Sequence, residues 1–571
     1  TQESHFRINH KLRFEIVPTK KLKILLFKVP EIDFTEKEIS YSEVLSVPVP
    51  PIPLGVASLS AYLKKNTDHA IHLCDIYRDG YEGYLSSHSN DGFLELIQDR
   101  IREIQPDVIG ISSLMIINYG WVHYVTKLAK EINSKVVTIV GGGYAGLLPE
   151  IVMQDDNVDF IVAGEGERTL LKILQADFSK DKLADVPGVG FRSDQNELHL
   201  NRELQFIEDM DIIPFFDWKG IRLERYLQYT NGSVSYITSR GCPFGCSFCS
   251  THLMWGRKFR PLPASRVLDE IDYLVSEYSV RNIEFRDDNL TLDKDRAVTI
   301  FQGLIERGYD LTWTCPNALA VITLDQGVLE LIKKSGCELF VIAIESGSER
   351  VIKDIIQKPI SKEKVREVVR IAKEIGLLVH TAYIIGFPGE TLDDIEQTRD
   401  FILELECDWN QISIATPLPG TEMHRVCEEN DYFVNAEMDL ERFRYGVANI
   451  RTDQFDERWI KTKAYDINIE ANFIKNHNFK ENPLLAVKKF RERLASYPKH
   501  LIALFCLAYA YKLSGDGANA QATLVQAFEL IAEEPEIYQT YKKYIDPSHP
   551  IFVDSYQKAA DLGLAGNELA N

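Results

Sequence analysis

Two successive series of short, β-branched apolar runs, each run followed by a helix-length amphipathic stretch, constrain this chain more than any other feature. The first series is Leu22–Phe27, Ile71–Tyr77, Val108–Leu114, Val136–Val140 and Phe160–Ala163, with helical patterns such as Gly55–Lys65, Gly92–Ile104 and Gly120–Ile132 between. Runs without polar alternation need cover on both faces, and intervening helices supply it, so the series predicts a doubly wound parallel sheet. The second series is Val234–Thr238, Asn282–Arg286, Leu311–Thr314, Leu339–Ile344, Leu378–Ile385 and Asn410–Ala415, with helices such as Ser265–Tyr278 and Ser361–Ile375. Six such βα units predict a partial (β/α)6 barrel. Ligands bind at the carboxyl ends of strands in both folds. In the first series those ends are small and polar: Ser112–Ser113, Gly141–Gly142–Gly143 and Gly164–Glu165–Gly166.

The predicted class is therefore α/β, in four parts along 571 residues. These are a Rossmann-like domain over 1–193, a connecting region over 194–231, the partial barrel over 232–450 and an all-α region over 451–571. In the last, Leu507–Ala527 resembles one tetratricopeptide repeat, with Ala486, Phe490 and Pro498 as half of a preceding one; a plain helical bundle capping the barrel is the competing reading. The net charge of −21 repels phosphate backbones and speaks against general nucleic-acid binding. No apolar run reaches membrane-spanning length, and Thr1 to Lys23 is polar, without a signal-peptide core. A cytoplasmic chain is the expectation. Its nine cysteines then read as thiols or metal ligands.

Six of them are scattered: Cys74, Cys315, Cys337, Cys407, Cys427 and Cys506. Cys242, Cys246 and Cys249 instead share one loop, Arg240-Gly-Cys-Pro-Phe-Gly-Cys-Ser-Phe-Cys249, directly after the first barrel run. Three thiolates so placed can hold three irons of a cubane and leave the fourth open to a ligand. Gly241 and Gly245 would let the backbone wrap closely. His252, at C-x2-H spacing from Cys249, leaves a Cys3His zinc site as an alternative.

The C-x3-C-x2-C loop resembles the signature of the radical S-adenosylmethionine (SAM) enzymes, and four further motifs follow in that family's order. Asp287-Asp288-Asn289 ends the second strand, where the family contacts the SAM amino group. Ala343-Ile344-Glu345-Ser346-Gly347 resembles the motif at the methionine carboxylate and ribose. Ile385-Gly386-Phe387-Pro388-Gly389-Glu390-Thr391 and Pro417-Leu418-Pro419-Gly420-Thr421 resemble the motifs beside the adenine. The resemblance implies a [4Fe–4S] cluster on the three cysteines, SAM on the open iron, and an electron donor such as flavodoxin or ferredoxin.

The N-terminal half resembles the cobalamin-binding domain that precedes the barrel in one large subfamily, through Pro50–Gly55, Asp107–Ser112, Gly141-Gly142-Gly143 and Gly164-Glu165-Gly166-Glu167. The resemblance makes Ser112, Ser113, Gly141, Gly142, Gly143, Gly164 and Glu165 candidate cobalamin contacts. The D-x-H-x-x-G motif of cobalt-ligating domains is absent, and Tyr144 is either a residue facing cobalt or a packing aromatic. Cys315, Tyr383 and His380 could face the barrel cavity, Trp255 and Arg257 could cover the cluster loop, and Glu165 and Glu167 could hold a cofactor hydroxyl or cap the next helix. The implied activity is methylation of an unactivated carbon of a small molecule, through a 5′-deoxyadenosyl radical and methylcobalamin. Cyclisation or ring contraction within the same family is the alternative, and a non-catalytic zinc-binding helical scaffold is the alternative from another class. The C-terminal helices could receive a carrier protein or peptide.

Overall fold

The computed structural model describes residues 20–31, 50–87, 89–434, 440–443 and 447–553. Most of the polar N-terminal stretch read for a leader, Thr1 to Lys23, lies outside them. The first domain is a seven-stranded sheet. Its strands are β1 (Lys23–Lys28), β2 (Ala70–Asp75), β3 (Val108–Ser112), β4 (Val137–Gly141), β5 (Phe160–Val162), β6 (Val189–Arg192) and β7 (Leu198–Leu200), in the order β2-β1-β3-β4-β5-β6-β7. The first five run parallel; β6 and β7 are antiparallel. Both faces are dry: on β1, Leu25 and Phe27 enter one apolar layer while Ile24 and Leu26 enter the other. The β6–β7 hairpin carries the sheet to Leu200, past the boundary at 193 read from the sequence. Three residues of β7 are too few to show a period.

Chain order reverses between β1 and β3, which opens a crevice at the strands' carboxyl ends. There Lys28 lies opposite Ser112, and Ser112 opposite Gly141.

The second domain is a six-stranded, all-parallel sheet. It begins at β8 (Ser233–Tyr236). Next comes a two-stranded clip of β9 (Ser239–Arg240) and β10 (Arg260–Pro261). The sheet then continues through β11 (Asn282–Phe285), β12 (Thr312–Thr314), β13 (Cys337–Glu345), β14 (Leu378–Ile385) and β15 (Trp409–Ile414). Strands follow in sequence order from β8 to β15, which is an open barrel. The antiparallel clip pinches the base of the cysteine loop.

The edge strand β15 is covered rather than left exposed. Asn472 accepts from the Asn410 amide at 2.8 Å and donates to the Asn410 carbonyl at 2.6 Å, taking the place of a neighbouring strand. Trp409 packs on Phe473 beside it. Behind these lie the helices Pro483–Ser496, Leu501–Leu513 and Gly517–Glu533, around one apolar cluster. The pair Leu501–Leu513 and Gly517–Glu533 coincides with the stretch that resembles a tetratricopeptide repeat. Among the described residues no helix is long and apolar enough to cross a membrane.

The two α/β domains join through buried charges. Arg240 and Arg260, both on the clip, reach Glu165 and Glu167 at the end of the first sheet, with Arg260–Glu165 and Arg240–Glu167 both at 2.7 Å. Glu165 also accepts from the Ile207 amide at 2.6 Å, and Glu167 from the Ser58 hydroxyl at 2.5 Å. Burial alone would raise the Glu167 carboxyl, but Arg240 and Ser58 pull it below the usual range. Glu165, expected as a cofactor contact, is thus committed to the domain junction, because the guanidiniums and the amide occupy both its oxygens. Removing one partner of such a group strands the other charge. Glu165→Ala should destabilise the protein by about 3–5 kcal/mol, read in urea unfolding, and loosen the two domains to limited proteolysis.

Candidate functional site

The cysteine loop is placed by restraints at its root and along its length. Asp287, at the end of β11, accepts from the Thr238 amide and hydroxyl and from the Ser239 hydroxyl, which locks the exit of β8. Its carboxylate is buried and spent there, so Asp287 does not face a ligand as expected. The chain then turns at Gly241, whose φ is +84° and whose missing side chain leaves room for the Lys258 carbonyl and Trp255. Gly245 has open space where a Cβ would stand, so of the two glycines only Gly241 is required by the loop.

The three thiols are half-buried. Asn289 donates to Cys242 Sγ at 2.8 Å, and the Phe244 amide also points at that sulfur. Burial pushes the Cys246 thiol up to about 11, against the pull of Lys358. The loop is pinned to the barrel by Ser247 N–H to the Ile356 carbonyl and by Met423 N–H to the Ser247 carbonyl, each 2.9 Å. Cys246 and Phe248 sit on an apolar wall that includes Val351, Phe387 and Met423. Three half-exposed thiols, one already receiving hydrogen bonds and another backed by apolar surface, suit an iron–sulfur cubane. Among the described residues no three of His, Cys, Asp and Glu are gathered tightly enough for a single metal ion.

The remaining motifs divide. Asp288 lines a cavity and is pushed up to about 6, by burial first and then by Asp287. Glu345 closes β13 in a left-handed conformation, φ +71°, and pairs with Lys358 at 2.8 Å. A non-glycine residue held there is strained, as residues at functional sites often are. Ser346 is buried and bonded to Thr398 at 3.0 Å, so it ties β13 to the helix Leu392–Leu405. Gly386, φ +88°, leaves room for Ile460, and its amide donates to Glu390 at 2.6 Å. Burial raises the Glu390 carboxyl to about 8. Pro417 is buried, and Gly420 beyond it packs on Leu253 of the cysteine loop.

In the first domain Gly142 and Gly143 lack side chains because the Ser113 and Leu114 carbonyls lie where Cβ atoms would be. The glycines therefore let two strand-end loops touch, a packing cause that the expected close approach of a corrin did not include. Ser113 spends its hydroxyl on the Met115 carbonyl, and Gly141 makes only ordinary contacts. Tyr144 is buried, with its hydroxyl 3.0 Å from His123 Nε2, and so is the packing aromatic of its two readings. Cys315 and Tyr383 are buried in the barrel core. Arg257 donates to the Phe244 carbonyl at 3.0 Å, and Trp255 stacks under Arg240.

Between the domains lies a cavity of about 670 Å³. The first sheet contributes Ser112, Gly142, Gly143 and Gly164; the short helix Thr251–Trp255, directly after the cysteine loop, contributes Thr251, Met254 and Trp255; the exit of β11 contributes Arg286 and Asp288. Lys28, Leu114, Asn118 and Asn317 also line it and were not singled out from the sequence. They stand at or just past strand ends, which was the available signal. The opening between flat glycine-rich strand ends and the barrel mouth fits a broad, flat cofactor on one side and a small molecule on the other.

A family model described as Radical SAM superfamily matches residues 236–402, and one described as B12 binding domain matches residues 44–174. A cytidylyl-2-hydroxyethylphosphonate methyltransferase of Streptomyces wedmorensis is 32% identical over 444 residues, 70% of this chain and 82% of the relative. An anaerobic magnesium-protoporphyrin IX monomethyl ester cyclase of Rubrivivax gelatinosus is 24% identical over 452 residues, 77% of each. The solved structure of a radical S-adenosylmethionine methyltransferase, TsrM of Kitasatospora setae, with cobalamin and a [4Fe-4S] cluster bound, aligns with a TM-score of 0.63 at 15% identity, over 86% of this chain and 99% of that one. That last likeness is one of fold.

Two outcomes follow from the local geometry. Gly241→Ala should lose most reconstituted iron, while Gly245→Ala retains it, by iron assay after anaerobic reconstitution. Glu390 is held protonated in the native state up to about 8, above its usual 4.5. The native state thus binds more protons than the unfolded chain between those values, and this group's contribution to stability falls as pH rises through them. Melting temperature should drop by a few degrees from about pH 6.5 to about pH 9, and Glu390→Gln should flatten that drop.

Proposed function

This chain belongs to the radical SAM enzymes that carry a cobalamin-binding domain, and from that premise we propose that it methylates an unactivated carbon of a small molecule held between its two α/β domains. The observation that carries the reading is the shared cavity: the flank of the cysteine loop and the glycine-rich strand ends of the first sheet open on the same space. The two solvent-shielded chemistries of this family need such a space. When bound, the cluster, SAM and corrin supply a 5′-deoxyadenosyl radical and a transferable methyl group, with one electron from a donor such as flavodoxin or ferredoxin.

The chain's own residues do the rest. Cys242, Cys246 and Cys249 would hold three irons, with Asn289 drawing charge from the Cys242 sulfur. Asp288 faces the cavity next to that loop, accepts from the Gly241 amide, and would receive the SAM amino group. Glu345, Gly386 and Pro417 stand at the ends of the later strands, where the methionine and adenine portions would lie. Ser112, Gly142, Gly143 and Gly164 would border the corrin, while Leu114, Met254 and Trp255 keep the cavity apolar and exclude water.

Substrate would enter against Arg286, whose guanidinium is held by Glu284 at 2.6 Å, with Ser235 behind Glu284 at 3.3 Å. A preset guanidinium suits an anionic group, such as the phosphonate in the name of the Streptomyces relative. Cyclisation is the second reading, favoured by the Rubrivivax relative. Product mass decides between them: the gain of one methyl group supports methylation, and turnover without it sinks that reading. Cys246→Ala should lose cluster iron and SAM cleavage and keep cobalamin binding; retained SAM cleavage in that variant would overturn the cluster assignment.

A further inference from the structure

Two polar groups in the cavity wall are buried and have no hydrogen-bond partner among the described residues: the Lys28 ammonium and Asn118 Oδ1. Lys28 is the last residue of β1 and stands opposite Ser112, the last residue of β3. Asn118 lies just beyond β3, before the helix Tyr119–Ile132, and is 1% exposed. The ammonium has the Glu31 carboxylate 3.4 Å away, outside hydrogen-bond alignment, and the Tyr77 ring at 5.9 Å. Buried donors and acceptors in native proteins almost always find partners. A charged donor and a neutral acceptor left over at adjacent strand ends, in the same cavity, point to a ligand that brings both complements.

Resting on the cobalamin reading above, we infer that Lys28 and Asn118 form a carboxamide subsite for the rim of the corrin. The corrin edge carries primary carboxamides. A carboxamide oxygen accepts from the Lys28 ammonium, and its NH2 donates to Asn118 Oδ1. A phosphodiester, the other polar group of cobalamin's nucleotide tail, satisfies the lysine and leaves the asparagine carbonyl without a donor. The subsite would fix the in-plane rotation of the corrin over Gly142 and Gly143, a task that glycines cannot perform because they offer only backbone.

The test measures equilibrium binding of two probes to the purified full chain by visible absorbance after gel filtration. One probe is hydroxocobalamin. The other is cobinamide, which keeps the carboxamides and lacks the nucleotide phosphate. Lys28→Met and Asn118→Ala should each weaken both probes about tenfold, the loss of roughly one charged or well-buried hydrogen bond. The melting temperature of Asn118→Ala should not fall, because an unpaired buried oxygen is being removed; Lys28→Met also gives up its ion pair with Glu31, and an unchanged far-UV circular dichroism spectrum shows that it is folded, which separates lost contact from lost fold. Unchanged affinity of both folded variants for both probes would overturn the subsite. Weakened cobalamin with unchanged cobinamide in Lys28→Met would assign the lysine to the phosphate and overturn the carboxamide. A wild-type chain that binds neither probe would overturn the cobalamin reading itself, and the subsite with it.

Discussion

The buried pairing of Arg240 and Arg260 with Glu165 and Glu167 is the constraint on which the site depends. The arginines flank the cysteine loop at its two roots, one residue before Gly241 and at the start of β10. The glutamates follow β5, beside Gly164 and Gly166. One ionic cluster thus sets where the cysteine loop stands relative to the mouth of the first sheet. Charges taken this far out of water are costly unless every oxygen and N–H is met. Here the Ile207 amide and carbonyl, the Trp255 carbonyl and the Ser58 hydroxyl meet most of them. Arrangements of this kind define one geometry more than they add stability, and a reaction between two cofactors in one cavity needs one geometry.

The same logic runs through the strand ends. Asp287 welds the exit of β8 to β11, Ser346 welds β13 to its following helix, and Glu390 folds the turn after β14 onto itself. Each belongs to a motif that reads as ligand contact, and Asp287 and Ser346 spend their polar atoms on protein, as does one of the two Glu390 oxygens. Asp288, beside Asp287, then faces the cavity, and Asn289, one residue further, donates to the Cys242 sulfur, whereas Glu345, beside Ser346, is itself paired with Lys358.

How much could be read in the sequence follows from this. The alternation of apolar runs and amphipathic helices is a property of local chain, so both sheets, their parallel sense and the helical end were legible. The cysteine loop was legible because three ligands fit within eight residues, Cys242 to Cys249. Which member of each motif turns inward was not, since Asp287 and Asp288 have the same chemistry and differ only in how the chain turns after β11 ends at Phe285. Glu165 misled for a related reason: its partners are about seventy-five and ninety-five residues away (|i−j| 75 and 95), in the other domain. Gly142 and Gly143 announced close approach correctly, but the approaching atoms are the Ser113 and Leu114 carbonyls.

The roof of the cavity is where these constraints meet. A corrin-sized space needs a flat floor, and side chains on Gly142 or Gly143 would push the loop after β3 up into it. With the two loops pressed together, Leu114 is forced outward and stands 56% exposed, an unusual state for a leucine at a strand end. The Met254 sulfur, from the helix Thr251–Trp255, also lies close to where a side chain on Gly143 would stand. Leu114 and Met254 thus give the compartment an apolar side, while Lys28, Arg286 and Asp288 bring charge to its other walls. An apolar side leaves water little to bind, which is the property a carbon radical requires of its immediate surroundings.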